Sequence, residues 1–192
     1  MTRIIAGGAK GRRLKTPEGR QTRPTGSRVR QTLFDILAPR LAGCRFLDAF
    51  AGSGAVGLEA LSRGAVLVAF VDSSAQAVAA IRENARALAT GAGEVLVFRQ
   101  DARVALPALA AQGRRFDVIY LDPPYDSNLY EVTLDAIDTS GLLAGGGIVV
   151  AEHFHKRVLP ETIGRLVRRR SVRVGDHVLG FYGTEAQESG SP

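Results

Sequence analysis

Arg45-Phe46-Leu47-Asp48-Ala49-Phe50-Ala51-Gly52-Ser53-Gly54-Ala55-Val56-Gly57 decides how this chain is read. A short apolar run stops at an acidic residue, a glycine-rich turn follows, and an apolar helix opens. The glycines fit G-x-G-x-x-G, and Asp72 closes the next apolar run about 20 residues on, the pattern of a nucleotide-binding strand–turn–helix unit. A carboxylate at the strand tip, Asp48, discriminates between ligands. It would repel a pyrophosphate laid across these glycines, whereas a donor carrying an ammonium and a sulfonium suits an acidic entrance. The turn residues Phe50, Ala51, Gly52, Ser53 and Gly54 are therefore expected to hold such a cofactor, with Asp72 and its neighbour Ser73 at the ribose.

Working outward, apolar runs alternate with helical patterns. The runs are Phe46-Leu47, Val66 to Val71, Val95 to Phe98, Val118 to Leu121 and Ile148 to Ala151. Between them lie Gly54 to Arg63, Ser74 to Leu88, Ala102 to Ala110 and Tyr130 to Thr139, and Val78, Ile81, Ala85 and Leu88 mark a buried stripe on the second helix. Such alternation predicts a mostly parallel sheet with helices on both faces. Leu166 to Val174 and His177 to Tyr182 are joined only by Gly175-Asp176, too short for a parallel crossover, so the sheet is expected to end in an antiparallel hairpin. Ahead of the first strand, Thr25 or Ser27 is expected to cap a helix carrying Val29, Leu33, Ile36 and Leu37 on one face, with Pro39 at its end. Residues 1–22 read as a basic hairpin extension, 23–184 as the main domain, and 185–192 as a flexible tail.

Composition and charge bound the rest. With 192 residues, 45% hydrophobic and 23% charged, a largely disordered chain is excluded. Cys44 is the single cysteine, which fits a reducing compartment, and the apolar stretch Ala65 to Val71 is too short to span a bilayer. Met1 to Ile5 opens no apolar run with a cleavage site, so a cytoplasmic protein is expected. The net charge of +6 is unevenly laid out. Residues 1–40 hold 10 basic and 2 acidic side chains, 41–155 hold 8 and 13, and 156–173 hold 7 and 1. An acidic middle between basic tracts points to a polyanion-binding surface beside a differently charged site. Arg3, Lys10, Arg12, Arg13, Lys15 and Arg28 are the expected nucleic-acid contacts at the front. In the triplet 168–170 only alternate residues of a strand share a side, so Arg168 and Arg170 are expected to act together.

Asp101-Ala102 follows the third strand, in a position to meet the cofactor's adenine ring, and the same carboxylate can also cap the helix that follows, the two roles being compatible. The most telling tetrapeptide is Asp122-Pro123-Pro124-Tyr125, directly after the fourth strand. The prolines end the strand and stiffen it. The Pro123 carbonyl and the Asp122 carboxylate can hold both hydrogens of an exocyclic base amine and stabilise the charge that develops as a methyl group arrives. Tyr125 offers a face for a flipped base. His153 and His155 come without further clustered ligands, so no metal is expected. Glu152, at the end of the fifth strand, either borders the target base or is solvated.

These residues resemble the amino-group branch of the class I S-adenosylmethionine methyltransferases. Arg3-Ile4-Ile5-Ala6-Gly7, Gly11-Arg12-Arg13-Leu14, Arg23-Pro24-Thr25, Arg28-Val29-Arg30 and Leu33-Phe34, with Leu58 to Ala65, narrow the likeness to RsmD-type small-subunit rRNA guanine-N2-methyltransferases over residues 3–153. The resemblance implies a Rossmann-like fold with a seven-stranded sheet and S-adenosyl-L-methionine as cofactor. It implies Arg23, Pro24 and Thr25 at the methionine end of the pocket. The implied partner is 16S rRNA, in the small subunit or an assembly intermediate, met by a monomer with no membrane association. Gly26-Ser27 departs from the family's usual small polar residue and aspartate, and Asp72 stands where glutamate is usual. Other readings are adenine-N6 methylation of DNA, a non-catalytic RNA-binding assembly factor, and NAD-dependent redox chemistry, which Asp48 disfavours.

Overall fold

Each apolar run after Arg45 becomes a strand, and each intervening pattern becomes a helix. In chain order the elements are β1 (Thr2–Arg3), β2 (Arg13–Leu14), α1 (Ser27–Leu41), β3 (Arg45–Asp48), α2 (Ala55–Ser62), β4 (Leu67–Asp72), α3 (Ala75–Leu88) and β5 (Glu94–Arg99). They continue with α4 (Ala102–Ala111), β6 (Phe116–Leu121), α5 (Leu129–Ser140), β7 (Leu143–Phe154), β8 (Thr162–Ile163), β9 (Leu166–Val174) and β10 (His177–Thr184). The computed structural model describes residues 2–16, 26–88, 93–124 and 128–184. The boundary expected after residue 22 and the tail 185–192 lie outside the described residues.

Among the described residues the main sheet runs β5-β4-β3-β6-β7-β10-β9-β8. From β5 to β7 the neighbours are parallel, and β10 lies antiparallel between β7 and β9. This is the expected seven-stranded arrangement with its closing hairpin, extended by the two-residue β8 at the edge. The chain builds outward from β3 through β4 to β5, then returns to the other side of β3 with β6. Such a reversal opens a crevice at the carboxyl ends of β3 and β6, where open α/β sheets bind ligands.

Helices α1, α2 and α3 cover one face around Leu33, Phe34, Phe46, Leu58, Phe70 and Ile81, whereas α4 and α5 cover the other around Leu106, Ile119, Leu134 and Val149. The boundaries that differ most instructively from expectation are those of α1 and β7. Helix α1 begins at Ser27, with Gly26 in the capping position, and continues past Pro39 to Leu41. Pro39 falls in the last turn, where its missing N–H costs one bond, and buried Leu41 gains packing by staying helical. Strand β7 starts at Leu143, five residues early, because a bulge opposite Phe116 to Val118 absorbs the glycines before Ile148. A second bulge lies between Phe181 and Tyr182, opposite Arg168 to Arg170.

The small β1–β2 hairpin is docked against the main domain. Glu59 of α2 is wholly buried and accepts from Ile5 N at 2.7 Å and Ala6 N at 2.9 Å. Ser62 Oγ accepts from Ala9 N and donates to the Ala6 carbonyl. The approach is so close that a side chain on Gly7, whose φ is +79°, would run into the Ser62 carbonyl and lie 2.7 Å from Ser62 Oγ. Only glycine fits there.

Candidate active site

Four consecutive strands deliver an acidic residue to the carboxyl edge of the sheet. Asp48 is the last residue of β3, Asp72 the last of β4, Asp101 lies two residues past β5, and Asp122 follows β6 directly. The register Asp48↔Tyr120 between β3 and β6 sets the glycine turn beside the Asp122-Pro123-Pro124 segment. The two motifs are brought together at the sheet's crevice.

Asp72 organises the turn. One carboxylate oxygen accepts from Gly52 N at 2.9 Å and the other from Ser74 N at 2.8 Å. Carboxylate oxygens so placed are acceptors of the kind a ribose hydroxyl needs. Gly57, the last glycine of the motif, lets α2 lie flat on the sheet, since a Cβ there would strike the Phe70 ring, 2.8 Å from its Cζ. Phe50, Gly52 and Ser53 are half-buried, Ala51 and Gly54 buried, and Ser73 exposed.

Asp48 has a different place from the one expected. It is 1% exposed, beneath the turn, and its Oδ2 accepts from Gly57 N at 3.0 Å. Burial pushes its pKa up to about 7, against the Gly57 bond, with Asp72 adding to the rise. Near neutrality it is therefore only partly ionised, so the negative entrance rests more on Asp72 and Asp122 than on Asp48. Asp101 caps α4: it accepts from Arg103 N and forms a two-bond ion pair with the Arg103 guanidinium, which lowers its pKa. Ala102 behind it is buried. Asp122 is half-buried, Pro123 buried and Pro124 exposed. Arg23, Pro24, Thr25 and Tyr125 lie outside the described residues.

The expected nucleic-acid contacts divide. Arg3, Lys10, Arg12, Arg13, Lys15 and Arg28 are exposed, and Lys15 forms a surface pair with Glu83. Arg168 and Arg170 do not share a face. The bulge sets Arg168 opposite Tyr182 and Arg170 opposite Phe181, whose side chains enter opposite layers of the core. Arg168 is also turned inward, donating to the Leu159 carbonyl and to Glu161. Arg170 stays exposed. His153 is buried, with its pKa lowered by burial, and among the described residues no group of three or more His, Cys, Asp or Glu could hold a metal.

Sequence reasoning missed several buried polar groups around the crevice. Asn84 of α3 accepts from Lys15 N and donates to the Lys15 and Ser53 carbonyls, tying the hairpin's exit to the glycine turn. Its signal was a polar residue on the apolar stripe, three positions from Ile81. Arg30 of α1 is 3% exposed and donates to the Arg3 carbonyl; burial lowers its pKa against the pull of Glu59 and Tyr120. Glu152, expected at the base or in solvent, is fully buried.

The strand order, the glycine turn and the acidic rim define the Rossmann-like methyltransferase class. A solved putative methyltransferase from Escherichia coli, yhhF, matches with TM-score 0.83 at 34% identity, over 96% of this chain and 98% of that one. The family model described as Conserved hypothetical protein 95 matches residues 2–183. The chain belongs to that family, the RsmD family. It is 41% identical over 180 residues to the putative rRNA methyltransferase YlbH of Bacillus subtilis, covering 94% of this chain and 97% of the relative. It is 34% identical over 185 residues to the ribosomal RNA small subunit methyltransferase D of Escherichia coli K12, covering 96% and 91%.

Proposed function

We propose that the protein transfers a methyl group from S-adenosyl-L-methionine to the exocyclic N2 amine of a guanine in small-subunit ribosomal RNA. The observation that carries this is the juxtaposition of the Asp72-organised glycine turn with Asp122-Pro123 across the β3–β6 crevice. The donor set suits the cofactor: a carboxylate at the end of β4 for ribose hydroxyls and an acidic rim for an ammonium and a sulfonium. When bound, the cofactor supplies an electrophilic methyl group.

The chain's own residues do the rest. Gly52, Ser53 and Gly54 line the turn, Asp72 accepts from the ribose, and Arg23, Pro24 and Thr25 complete the methionine end. The Asp122 carboxylate and the Pro123 carbonyl accept the two amine hydrogens, so the nitrogen lone pair points at the methyl carbon. Transfer would exchange the methyl–sulfur bond for a methyl–nitrogen bond and leave a neutral thioether. The two acceptors would stabilise the positive charge passing to nitrogen, which is discharged as one amine proton is lost to water. Tyr125 stacks the flipped base. The exposed hairpin cations hold phosphates, which makes binding steeply salt-dependent. Small-subunit ribosomal RNA as substrate follows the names of the relatives, whereas guanine as the target follows the resemblance to the guanine-N2 branch. The protein works as a monomer in the cytoplasm.

The test is labelled methyl transfer to unmodified small subunits, free rRNA and duplex DNA, followed by mapping of the modified base. The expected product is N2-methylguanine in small-subunit RNA. Asp122→Ala should lose transfer by about 10³-fold while still binding cofactor, since it removes an acceptor made for the transition state. Full activity in that variant, or methylation of DNA adenine instead, overturns the reading.

A further inference from the structure

Glu152 is 0% exposed near the carboxyl end of β7. Strands β6 and β7 run in parallel with Leu121 opposite Ala151, so Glu152 is one step further along, level with Asp122. Three groups converge on it. The Tyr120 hydroxyl donates to its Oε2. The Tyr130 hydroxyl donates to its main-chain carbonyl at 2.8 Å. His177 Nδ1 of β10 lies 2.8 Å from Oε1, a close approach without the alignment of a hydrogen bond.

The two tyrosines occupy particular places. Tyr120 is in β6, two residues before Asp122, and Tyr130 is in the first turn of α5, five residues after Tyr125. The carboxylate thus holds β6 through Tyr120, while the main-chain carbonyl of the same residue holds α5 through Tyr130, a contact that survives side-chain substitution. A buried carboxylate is costly, and a well-packed apolar side chain of similar size commonly stabilises a core as well or better. What a carboxylate adds is a directional acceptor that fixes where its partners sit.

We propose that Glu152 is a positioning residue for methyl transfer, its carboxylate fixing Tyr120 and the end of β6 so that the Asp122 carboxylate and the Pro123 carbonyl meet the amine in register. The inference rests on the amine-methylation reading above. Reacting groups misplaced by about 1 Å cost on the order of 10²-fold in rate, so a clamp two residues from the acceptors acts on turnover. Its side chain is fully buried against Tyr120 and His177, so the expected effect is on turnover with cofactor and RNA binding kept.

The experiment uses the full chain and labelled methyl transfer to unmodified small subunits. Glu152→Ala, Glu152→Gln, Tyr120→Phe and Tyr130→Phe are each followed by kcat, both KM values and thermal midpoint. Glu152→Ala is expected to lower kcat about 100-fold with KM for cofactor and RNA within about twofold. Glu152→Gln keeps an oxygen for the Tyr120 hydroxyl and should recover much of that loss. Tyr120→Phe should cost about tenfold alone and nothing more in the Glu152→Ala background, because Tyr120 acts through Glu152. If Glu152→Ala does not fold, Glu152→Gln and the two tyrosine variants carry the test through the same kcat and KM split. Folded variants with wild-type kcat, or losses that only track the unfolded fraction, overturn the clamp while wild-type and Asp122→Ala behaviour leaves the amine reading standing. A wild-type protein inactive on small-subunit RNA overturns both.

Discussion

Asp48 accepts from Gly57 N beneath the glycine turn, and burial pushes its pKa up to about 7. In the unfolded chain the same carboxyl titrates near 3.9. Between those values the native state holds a proton that the unfolded state has released, so stability falls as pH rises. The contribution is complete below about pH 4 and is lost as pH passes through about 7. Asp48→Asn keeps an oxygen for the Gly57 N–H and removes the titration. The stability of the wild type relative to this variant should therefore drop by on the order of 2–3 kcal/mol between pH 5 and pH 8, read by urea denaturation. A difference that stays constant across that range would show that Asp48 is ionised throughout.

Helix α2 illustrates how packing overrides intrinsic preference. Gly57 lies inside the helix, where alanine would ordinarily gain about 1 kcal/mol. Here an added Cβ strikes the Phe70 ring and lies 2.9 Å from Val68 Cγ1. Overpacking of this kind costs about 1–3 kcal/mol, so the clash decides the sign. Gly57→Ala should destabilise the protein by about 1–2 kcal/mol and also weaken cofactor binding, because lifting α2 draws Gly57 N away from Asp48. Adding Phe70→Leu should return part of the stability, measured by thermal midpoint. A neutral or stabilising Gly57→Ala would sink the close-packing account. The same contrast explains what could be read from sequence. Glycine spacing, strand–helix alternation and the short Gly175-Asp176 link are local patterns, and they placed the sheet, its closing hairpin and the crevice. Glu152, Asn84 and Arg30 take their roles from partners 22 to 69 residues away, which no local pattern encodes. The β9 bulge is equally non-local: one extra residue turns Arg168 away from Arg170 and undoes the alternation that had paired them.

The whole chain separates its charge by task, and the docking of the hairpin makes that separation structural. The acidic middle supplies the rim at β3 to β6, while the exposed cations Lys10, Arg12 and Arg13 ride on a hairpin held by Glu59 and Ser62. Glu59 also accepts from Arg63 Nε at 2.8 Å, so one buried carboxylate bonds two hairpin amides and the arginine that follows α2. Two different losses are then distinguishable. Replacing Lys10, Arg12 and Arg13 together by alanine removes phosphate contacts and leaves the hairpin docked. The slope of log K for RNA against log salt should fall by about 2 to 3, with cofactor affinity unchanged. Glu59→Ala instead keeps every cation but strands the Ile5 and Ala6 amides and the Arg63 guanidinium, a cost of about 3–5 kcal/mol. Its RNA affinity should drop because the cations are no longer held in place, and limited proteolysis should cut within residues 3–16 faster than in wild type. An unchanged salt slope in the triple variant would remove the hairpin from the RNA interface. A Glu59→Ala protein with wild-type proteolysis would mean that Ser62 and the Gly7 contact hold the hairpin by themselves.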